Sequence, residues 1–226
     1  MDAVLSHISQ QEIFQMLSEV GVYLRRMHSL TFAYAGYIMG NEGPTAPPDE
    51  HSWQHTIWTL SAFEQALQAW VEAQRNILPS SLFAQLEQKA QEAYELLSSA
   101  YAVPRFTQGD CGIDQIMVVQ EQDQWRVSAF LDMEVASAGD CLSDIVSLCV
   151  SLAQILPETL HWWQPLFQAY GKVPDFEGFR IRLLRDWYPF DPKIWPGTGE
   201  NAIRHLLLAK DWETLFSRNH LLQPTI

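Results

Sequence analysis

The stretch FTQGDCGIDQIMVV, residues 106–119, and the stretch FLDME, residues 130–134, decide how this chain folds and which chemistry it can carry. Asp110 lies in a glycine-flanked turn, and Gln115 follows it five residues later. Asp132 comes at the end of an apolar run, 22 residues beyond Asp110. A loop carboxylate can accept a hydroxyl proton, and amide and carboxylate oxygens suit a hard Mg²⁺ ion. The order of these groups indicates a catalytic loop for phosphoryl transfer followed by a metal site.

The chain between these two acids predicts a β-hairpin. Residues 116–119 and 125–131 are short runs rich in β-branched or aromatic side chains, and the polar residues 120–124 join them. A hairpin would bring Asp110 and Asp132 to one edge of the structure. Taken singly, each acid also fits ordinary turn chemistry at the end of a strand, with no catalytic role.

Helices are predicted on both sides of the hairpin, because apolar residues recur there at spacings of three, four and seven. The first helix covers residues 11–30, and residues 40–50, with two glycines and three prolines, form an irregular loop. Further helices are predicted from Ser52, from Pro79 and Ser80, from Asp140, and in three C-terminal segments separated by Pro157, Pro174 and Gly197. The predicted fold is one mainly α domain over residues 1–226 with a small inserted β-hairpin.

Composition limits the classes of partner. The chain has 226 residues, 47% of them hydrophobic, which is enough for one good-sized core. Its formal charge of −13 disfavours nucleic acid and suits a cationic small-molecule acceptor, although acidity also serves solubility. The three cysteines form no C-x-x-C pair, and no window approaches about 18 uninterrupted apolar residues. We therefore expect a cytoplasmic protein with neither disulfides nor a membrane segment.

The motifs resemble those of the aminoglycoside phosphotransferase family, which are kinase-like small-molecule phosphotransferases. Residues 108–115, QGDCGIDQ, are similar to the family's H-G-D-x-x-x-x-N, and residues 131–134, LDME, to its I-D-[WFM]-E/D. Residues 139–145, GDCLSDI, resemble G-D-P-x-x-D-[LI], and residues 24–30, LRRMHSL, resemble the helix L-x-x-L-H-x-L. The resemblance is specific over residues 105–150 and weaker elsewhere.

The resemblance implies a role for each matched residue. Asp110 would be the catalytic base, and Asp132 would be the principal Mg²⁺ ligand, with Gln115 and Glu134 assisting at the metal. The phosphoryl donor would be ATP, and the acceptor would be a hydroxyl group of a small molecule. The choice of acceptor would fall to the helical residues 155–226, which contain no recognisable motif.

Two glutamines depart from the family pattern. Gln108 stands where the family has His, and a flexible amide at this position predicts a less rigidly held base. Gln115 stands where the family has Asn, so its carbonyl oxygen is displaced by about an ångström, an error that can cost about 100-fold in rate. Asp140 and Asp144 are expected to brace the loop and to cap the helix that follows.

The resemblance extends only to the C-terminal lobe of such an enzyme. No glycine-rich phosphate loop precedes residue 11, and no lysine lies on a strand similar to V-A-I-K. We therefore expect a protein-kinase-like C-terminal lobe lacking the N-terminal nucleotide lobe, active if such a lobe completes it. The alternative is a catalytically inactive kinase-like module, a truncated pseudokinase with a binding or structural role. An uncovered interlobe surface would also favour homo-oligomers.

Overall fold

A computed structural model describes residues 1–5, 7–38, 44–45, 60–187 and 200–217. The N-terminal part contains a short helix α1 (Asp2–Leu5) and a long helix α2 (Gln10–Met27). Helix α2 begins at a capping box, in which the Ser9 hydroxyl accepts from the Glu12 amide and the Glu12 carboxylate accepts from the Ser9 amide. The predicted helix at residues 11–30 is thus confirmed, three residues shorter at its end.

Helices α3 (Leu60–Ala73) and α4 (Ser80–Tyr101) come next and pack against each other. The predicted start near Pro79 and Ser80 is confirmed, because α4 begins directly after Pro79. The predicted N-cap Ser52 and most of the predicted loop at residues 40–50 lie outside the described residues.

The predicted hairpin is present as β4 (Ile116–Glu121) and β5 (Gln124–Phe130), two antiparallel strands with an irregularity between Met117 and Val118. Helix α2 holds this hairpin through Glu19. The Glu19 carboxylate accepts a hydrogen bond from the Val127 amide at 2.9 Å and forms an ion pair with Arg126. Because Asp132 follows β5 by two residues, this contact also helps to place Asp132.

A second, four-stranded antiparallel sheet was not predicted. It contains β1 (Gly36–Ile38), β2 (Pro44–Thr45), β3 (Arg105–Thr107) and β6 (Ser137–Gly139), in the order β2-β1-β6-β3. Strand β3 leads into the loop that carries Asp110, and β6 follows the segment that carries Asp132. Their pairing, with Thr107 opposite Ser137, brings the two acidic segments together.

Helices α5 (Leu142–Ile155), α6 (Trp163–Tyr170), α7 (Phe176–Trp187), α8 (Glu200–Leu208) and α9 (Trp212–Leu215) complete the described part of the chain. One continuous core joins them to α2 and α4, with Trp162, Phe167 and Phe179 among its largest fully buried side chains. Among the helices that the structure describes, none is both long enough and apolar enough to span a bilayer.

Helices α2 and α6 pack closely against each other, and Gly21 allows this close approach. A Cβ atom on Gly21 would lie 2.5 Å from the Leu166 carbonyl oxygen and 2.9 Å from the Tyr170 amide nitrogen. Only a residue without a side chain allows the two backbones to approach this closely. Tyr170, at the end of α6, is thereby brought next to the C-terminal end of α2.

Candidate active site

Asp144 on α5 holds the backbone of the loop that carries Asp110. Its Oδ2 atom accepts a hydrogen bond from the Gln108 amide at 2.7 Å, and its Oδ1 atom accepts one from the Gly109 amide at 3.0 Å. The Asp144 residue is only 1% exposed, so its carboxylate is shielded from water. Charge-assisted bonds of this kind are among the stronger ones in proteins. The expectation that Asp144 braces the loop is confirmed.

His28, just after α2, completes this anchor from behind. Its Nε2 atom lies 3.1 Å from Asp144 Oδ2, and its Nδ1 atom lies 3.0 Å from the Tyr170 hydroxyl. Burial disfavours the charged imidazole, but the hydrogen bond to Asp144, with lesser contributions from Cys141 and the Asp144 charge, raises the pKa of His28 to about 9. A protonated His28 donates from both nitrogens and offsets the buried Asp144 charge.

The expectation that Gln108 loosens the loop is wrong. Gln108 is fully buried, and its side-chain amide makes three hydrogen bonds. The Nε2 group donates to the carbonyl oxygens of Leu131 and Asp132, both at 2.9 Å, and the Oε1 atom accepts from the Asp110 amide at 2.8 Å. This one side-chain amide therefore links the Asp110 loop to the segment that carries Asp132. The three bonds restrict the Gln108 side chain to one rotamer.

Gly109 allows the two acidic segments to touch. Its φ is +93°, in the left-handed region, and a Cβ atom there would lie 2.5 Å from the Val135 carbonyl oxygen. Both the backbone conformation and the close approach exclude a side chain at this position. The turn before Asp110 is thus packed directly against the short 3₁₀ helix Met133–Val135 that follows Asp132.

Asp110 itself is exposed, and other carboxylates surround it. Partial burial, followed by the charges of Asp114, Asp132 and Asp144, raises the pKa of the Asp110 carboxyl above its ordinary value. Asp110 and Asp132 are therefore close enough to interact electrostatically, as the hairpin prediction required. A raised pKa makes the Asp110 carboxylate a stronger base.

Asp132 and Gln115 both present side chains without a protein partner in the described part of the chain. Asp132 is exposed and has a left-handed backbone, with φ 56° and ψ 57°. Such a conformation is uncommon outside glycine, although Asp tolerates it, and it occurs often at functional sites. The Gln115 backbone carbonyl accepts from the Leu131 amide at 2.8 Å, which fixes its position while its side-chain amide stays available.

The charge of Glu134 acts on Tyr37 rather than on Asp110. Its charge adds to burial in raising the pKa of Tyr37 on β1, whereas it is not among the charges that raise the pKa of Asp110. Within the described ranges, no group of three or more His, Cys, Asp and Glu side chains is arranged to hold a metal ion. The metal ligands predicted from the sequence stay predictions, with Asp132 the best placed of the three.

Asp140 has a structural role in a buried ion pair. Its Oδ2 atom accepts from Arg182 Nε at 2.5 Å, its Oδ1 atom accepts from Arg182 Nη2 at 3.1 Å, and Oδ1 also accepts from the Leu142 amide at 3.2 Å. These contacts join the start of α5 to α7. The expectation that Asp140 caps the helix is met only in part, because Cys141 is the N-cap residue while Asp140 accepts from the first helical amide, that of Leu142. The Arg182 partner was not predicted.

Two further residues that support the site were missed. Asp114 falls on an unspecified position of the family pattern, yet its charge is the largest electrostatic contribution to the raised pKa of Asp110. Ser151, on α5, accepts from the Ile113 amide through its hydroxyl at 3.0 Å and so holds the turn before Gln115. For Asp114 the four-residue spacing from Asp110 was a usable signal, whereas nothing near Ser151 in the sequence pointed to the loop.

Comparisons with known proteins agree with this geometry. The fold is similar to the solved structure of aminoglycoside phosphotransferase APH(3'')-Id from Streptomyces rimosus, with a TM-score of 0.54 and 15% sequence identity. The match covers 81% of this chain but only 65% of that chain, so this chain spans less than two thirds of its length. No curated protein matches in sequence. The sequence model for the phosphotransferase enzyme family matches residues 2–183, and the chain therefore belongs to this family, APH.

Proposed function

We propose that this protein transfers the γ-phosphoryl group of ATP to a hydroxyl group of a small molecule, with Asp110 as the base. The observation that carries the proposal is the arrangement of Asp110 on a loop held by Asp144 and Gln108, beside an exposed Asp132. Phosphoryl transfer requires mainly positioning and electrostatic stabilisation from the protein. Family membership supports phosphotransfer to a small molecule, and the site supports the finer assignment.

In this proposal Asp110 takes the proton of the acceptor hydroxyl onto its carboxylate. Partial burial, followed by the charges of Asp114 and Asp132, raises the pKa of Asp110, which increases the affinity of the base for that proton. The loop cannot drift away from the acceptor, because the Gln108 and Gly109 amides are bound to one buried carboxylate. A well-held base avoids the loss that misplacement by about an ångström causes.

The residues present fit a Mg²⁺ ion held jointly with nucleotide phosphates. Mutual repulsion between Asp110 and Asp132 indicates a place where a cation would be stabilised, and Gln115 has an unused amide. Mg²⁺ usually takes only one or two carboxylates and completes its shell with phosphates and water, so a cage of protein ligands is not required. Asp132 and Gln115 would hold it, and Glu134 would assist; when bound, the ion neutralises charge on the β- and γ-phosphates.

We further propose that residues 105–150 form the catalytic-loop part of a kinase-like C-terminal lobe. The acceptor would then contact the helical residues 155–226. The mainly helical architecture and the loop anchor support this assignment. A nucleotide lobe from another part of the protein or from a partner would supply the remaining contacts to ATP.

Titration calorimetry with Mg²⁺-ATP tests the proposal directly. We expect saturable binding that Asp132→Ala removes, and phosphorylation of a hydroxyl acceptor such as kanamycin or choline that Asp110→Asn removes. Asp123→Asn is the matched control, because Asp123 is an exposed carboxylate in the hairpin turn. Absence of Mg²⁺-ATP binding at millimolar nucleotide would refute catalysis by this chain alone.

The second candidate is a catalytically inactive member of the family that binds a ligand or a partner. The observation that favours it is Gln115, whose longer side chain stands where the family pattern has Asn. Nucleotide binding without detectable transfer, together with transfer restored by Gln115→Asn, would assign the wild-type chain to this class. Transfer by the wild-type chain would exclude it.

A further inference from the structure

A cavity lies against His28 and Tyr170, which belong to the anchor behind the Asp110 loop. It has a volume of about 470 Å³ and is bounded by the C-terminal ends of α2, α4 and α6 and by the N-terminal parts of α5 and α7. Small-molecule sites typically have volumes of about 300–1,000 Å³. Neither Gln108, Asp110 nor Asp132 lines it, so it is separate from the candidate active site.

The lining of this cavity is positively charged, although the chain as a whole is strongly acidic. Four residues with permanent positive charge line it, against two carboxylates: Arg25, Arg105, Lys172 and Arg182, with Asp140 and Asp175. The formal charge of the whole protein is −13. A local excess of cations in such a chain needs a physical explanation, since the charges repel one another when nothing compensates them.

Both carboxylates are already occupied. Asp140 is bound by Arg182 through two hydrogen bonds, at 2.5 and 3.1 Å, and the two side chains are nearly fully buried. Asp175 Oδ2 accepts from the Gly178 amide at 2.7 Å, at the start of α7. The two acids together can balance at most two of the four cations.

The other three cations keep unused donors. Arg25 and Lys172 are exposed, and neither forms a hydrogen bond or an ion pair with any residue that the structure describes. Arg25 Nη1 lies 3.1 Å from the position that a Cβ atom would take on Gly171, so Arg25 lies beside the neighbour of Lys172. Arg105 uses only Nη1, which donates to the His28 carbonyl at 2.9 Å within the described part of the chain.

We propose that this cavity binds a small multivalent oxyanion, either a phosphate ester or a polycarboxylate, through Arg25, Arg105 and Lys172. A guanidinium group offers paired donors that match the oxygens of phosphate and carboxylate equally, and a lysine adds a compact charge. An anion of this kind supplies the negative charge that the lining lacks. The proposal does not depend on phosphoryl transfer, because it rests on a different set of residues.

The ligand class can be tested by titration calorimetry on the full-length protein without nucleotide, using glucose 6-phosphate in one arm and citrate in the other. We expect saturable one-to-one binding of at least one probe at millimolar concentrations. The arm that binds identifies whether the site selects phosphate or carboxylate. The double variant R25Q/K172Q should weaken binding by roughly tenfold or more, because each lost charged hydrogen bond costs about that factor.

The matched control is the double variant R26Q/K210Q. This control also removes two positive charges, one from an arginine and one from a lysine. Arg26 is next to Arg25 on α2, but neither Arg26 nor Lys210 lines the cavity. Binding by this control within about twofold of the wild type supports the site, since a general loss of charge acts on both variants alike. All four positions are exposed, and far-ultraviolet circular dichroism checks that each variant is folded.

Two results would overturn the proposal. One is the absence of saturable binding for both probes, and the other is an equal loss of affinity in the two double variants. A ligand-dependent rise in the midpoint of thermal unfolding that disappears only in R25Q/K172Q gives an independent second measurement.

Discussion

Replacing Gln108 gives the sharpest test of how the loop that carries Asp110 is held. Gln108→Ala removes three hydrogen bonds of a buried side chain, to the Leu131 carbonyl, the Asp132 carbonyl and the Asp110 amide. At about 1 kcal/mol for each bond, we expect the free energy of unfolding to fall by about 3 kcal/mol. The cavity left by the side chain would add to this loss.

In Gln108→Glu the side chain keeps nearly the same shape, but a hydrogen-bond acceptor oxygen replaces the donor Nε2 group. The oxygen that replaces Nε2 would face two carbonyl oxygens that are now only 2.9 Å from the nitrogen. Two bonds would become repulsive contacts, and an unpaired carboxylate would be buried. We expect this variant to lose about 5 kcal/mol at pH 7, more than the alanine variant, because an unpaired buried charge costs several kcal/mol.

The pH dependence of Gln108→Glu has a definite sign. Burial raises the pKa of the introduced carboxyl in the folded state above the ordinary glutamate value of about 4.3. The carboxyl is therefore more easily protonated when folded, and the protonated form can donate one of the lost hydrogen bonds. The deficit against wild type should shrink as the pH falls from 7 toward about 5.

The assay is urea-induced unfolding followed by tryptophan fluorescence at pH 7 and pH 5. Gln120→Glu is the control, since Gln120 is exposed on β4 and should change stability by less than about 0.5 kcal/mol. The reasoning is refuted if Gln108→Glu is as stable as wild type at pH 7, or if Gln108→Ala loses less than about 1 kcal/mol.

Two buried ion pairs give the remaining predictions. The pKa of His28 is about 9 when folded and near 6.5 when unfolded, so the contribution of His28 is full below pH 6.5 and is lost as the pH rises through 9. About 3 kcal/mol should disappear over this range in urea titrations, and Asp144→Asn should flatten the slope; equal slopes would contradict the assignment. Arg182→Met leaves Asp140 buried and unpaired and should cost about 3–5 kcal/mol in the same assay. Arg204→Met, in an exposed helical pair, should cost about 0.5 kcal/mol or less, and similar losses for the two would argue against the buried pair.

The helices and the hairpin were predictable because their signals are local. Apolar residues recur at helical spacing along the 18 residues of helix α2. The hairpin strands have six and seven residues, and a polar turn joins them. The four-stranded sheet escaped prediction because its strands have only two or three residues each. Such short strands carry no periodicity, and their partners lie up to about a hundred residues away along the chain.

The acids of the candidate site were predictable by spacing, but the forces that hold them were not. The side-chain partners of Gln108 are mostly backbone carbonyls 23 and 24 residues along the chain, and any residue type would offer those. Side-chain chemistry alone therefore predicted that Gln in place of His at position 108 would hold the loop less rigidly. The electrostatic effect of Glu134 on Tyr37 depends in the same way on strand β1, which the sequence pattern did not reveal.

Gly21 makes the geometry of the Asp110 loop depend on the contact between helices α2 and α6. The Leu166 carbonyl sets how close α6 can come to α2, and the spacing of these helices sets where Tyr170 meets His28. His28 in turn fixes the Asp144 carboxylate that holds the loop. A methyl group added to Gly21 would push α6 away from α2. The loop would keep its own hydrogen bonds, but the positions of Tyr170, His28 and Asp144 behind it would shift.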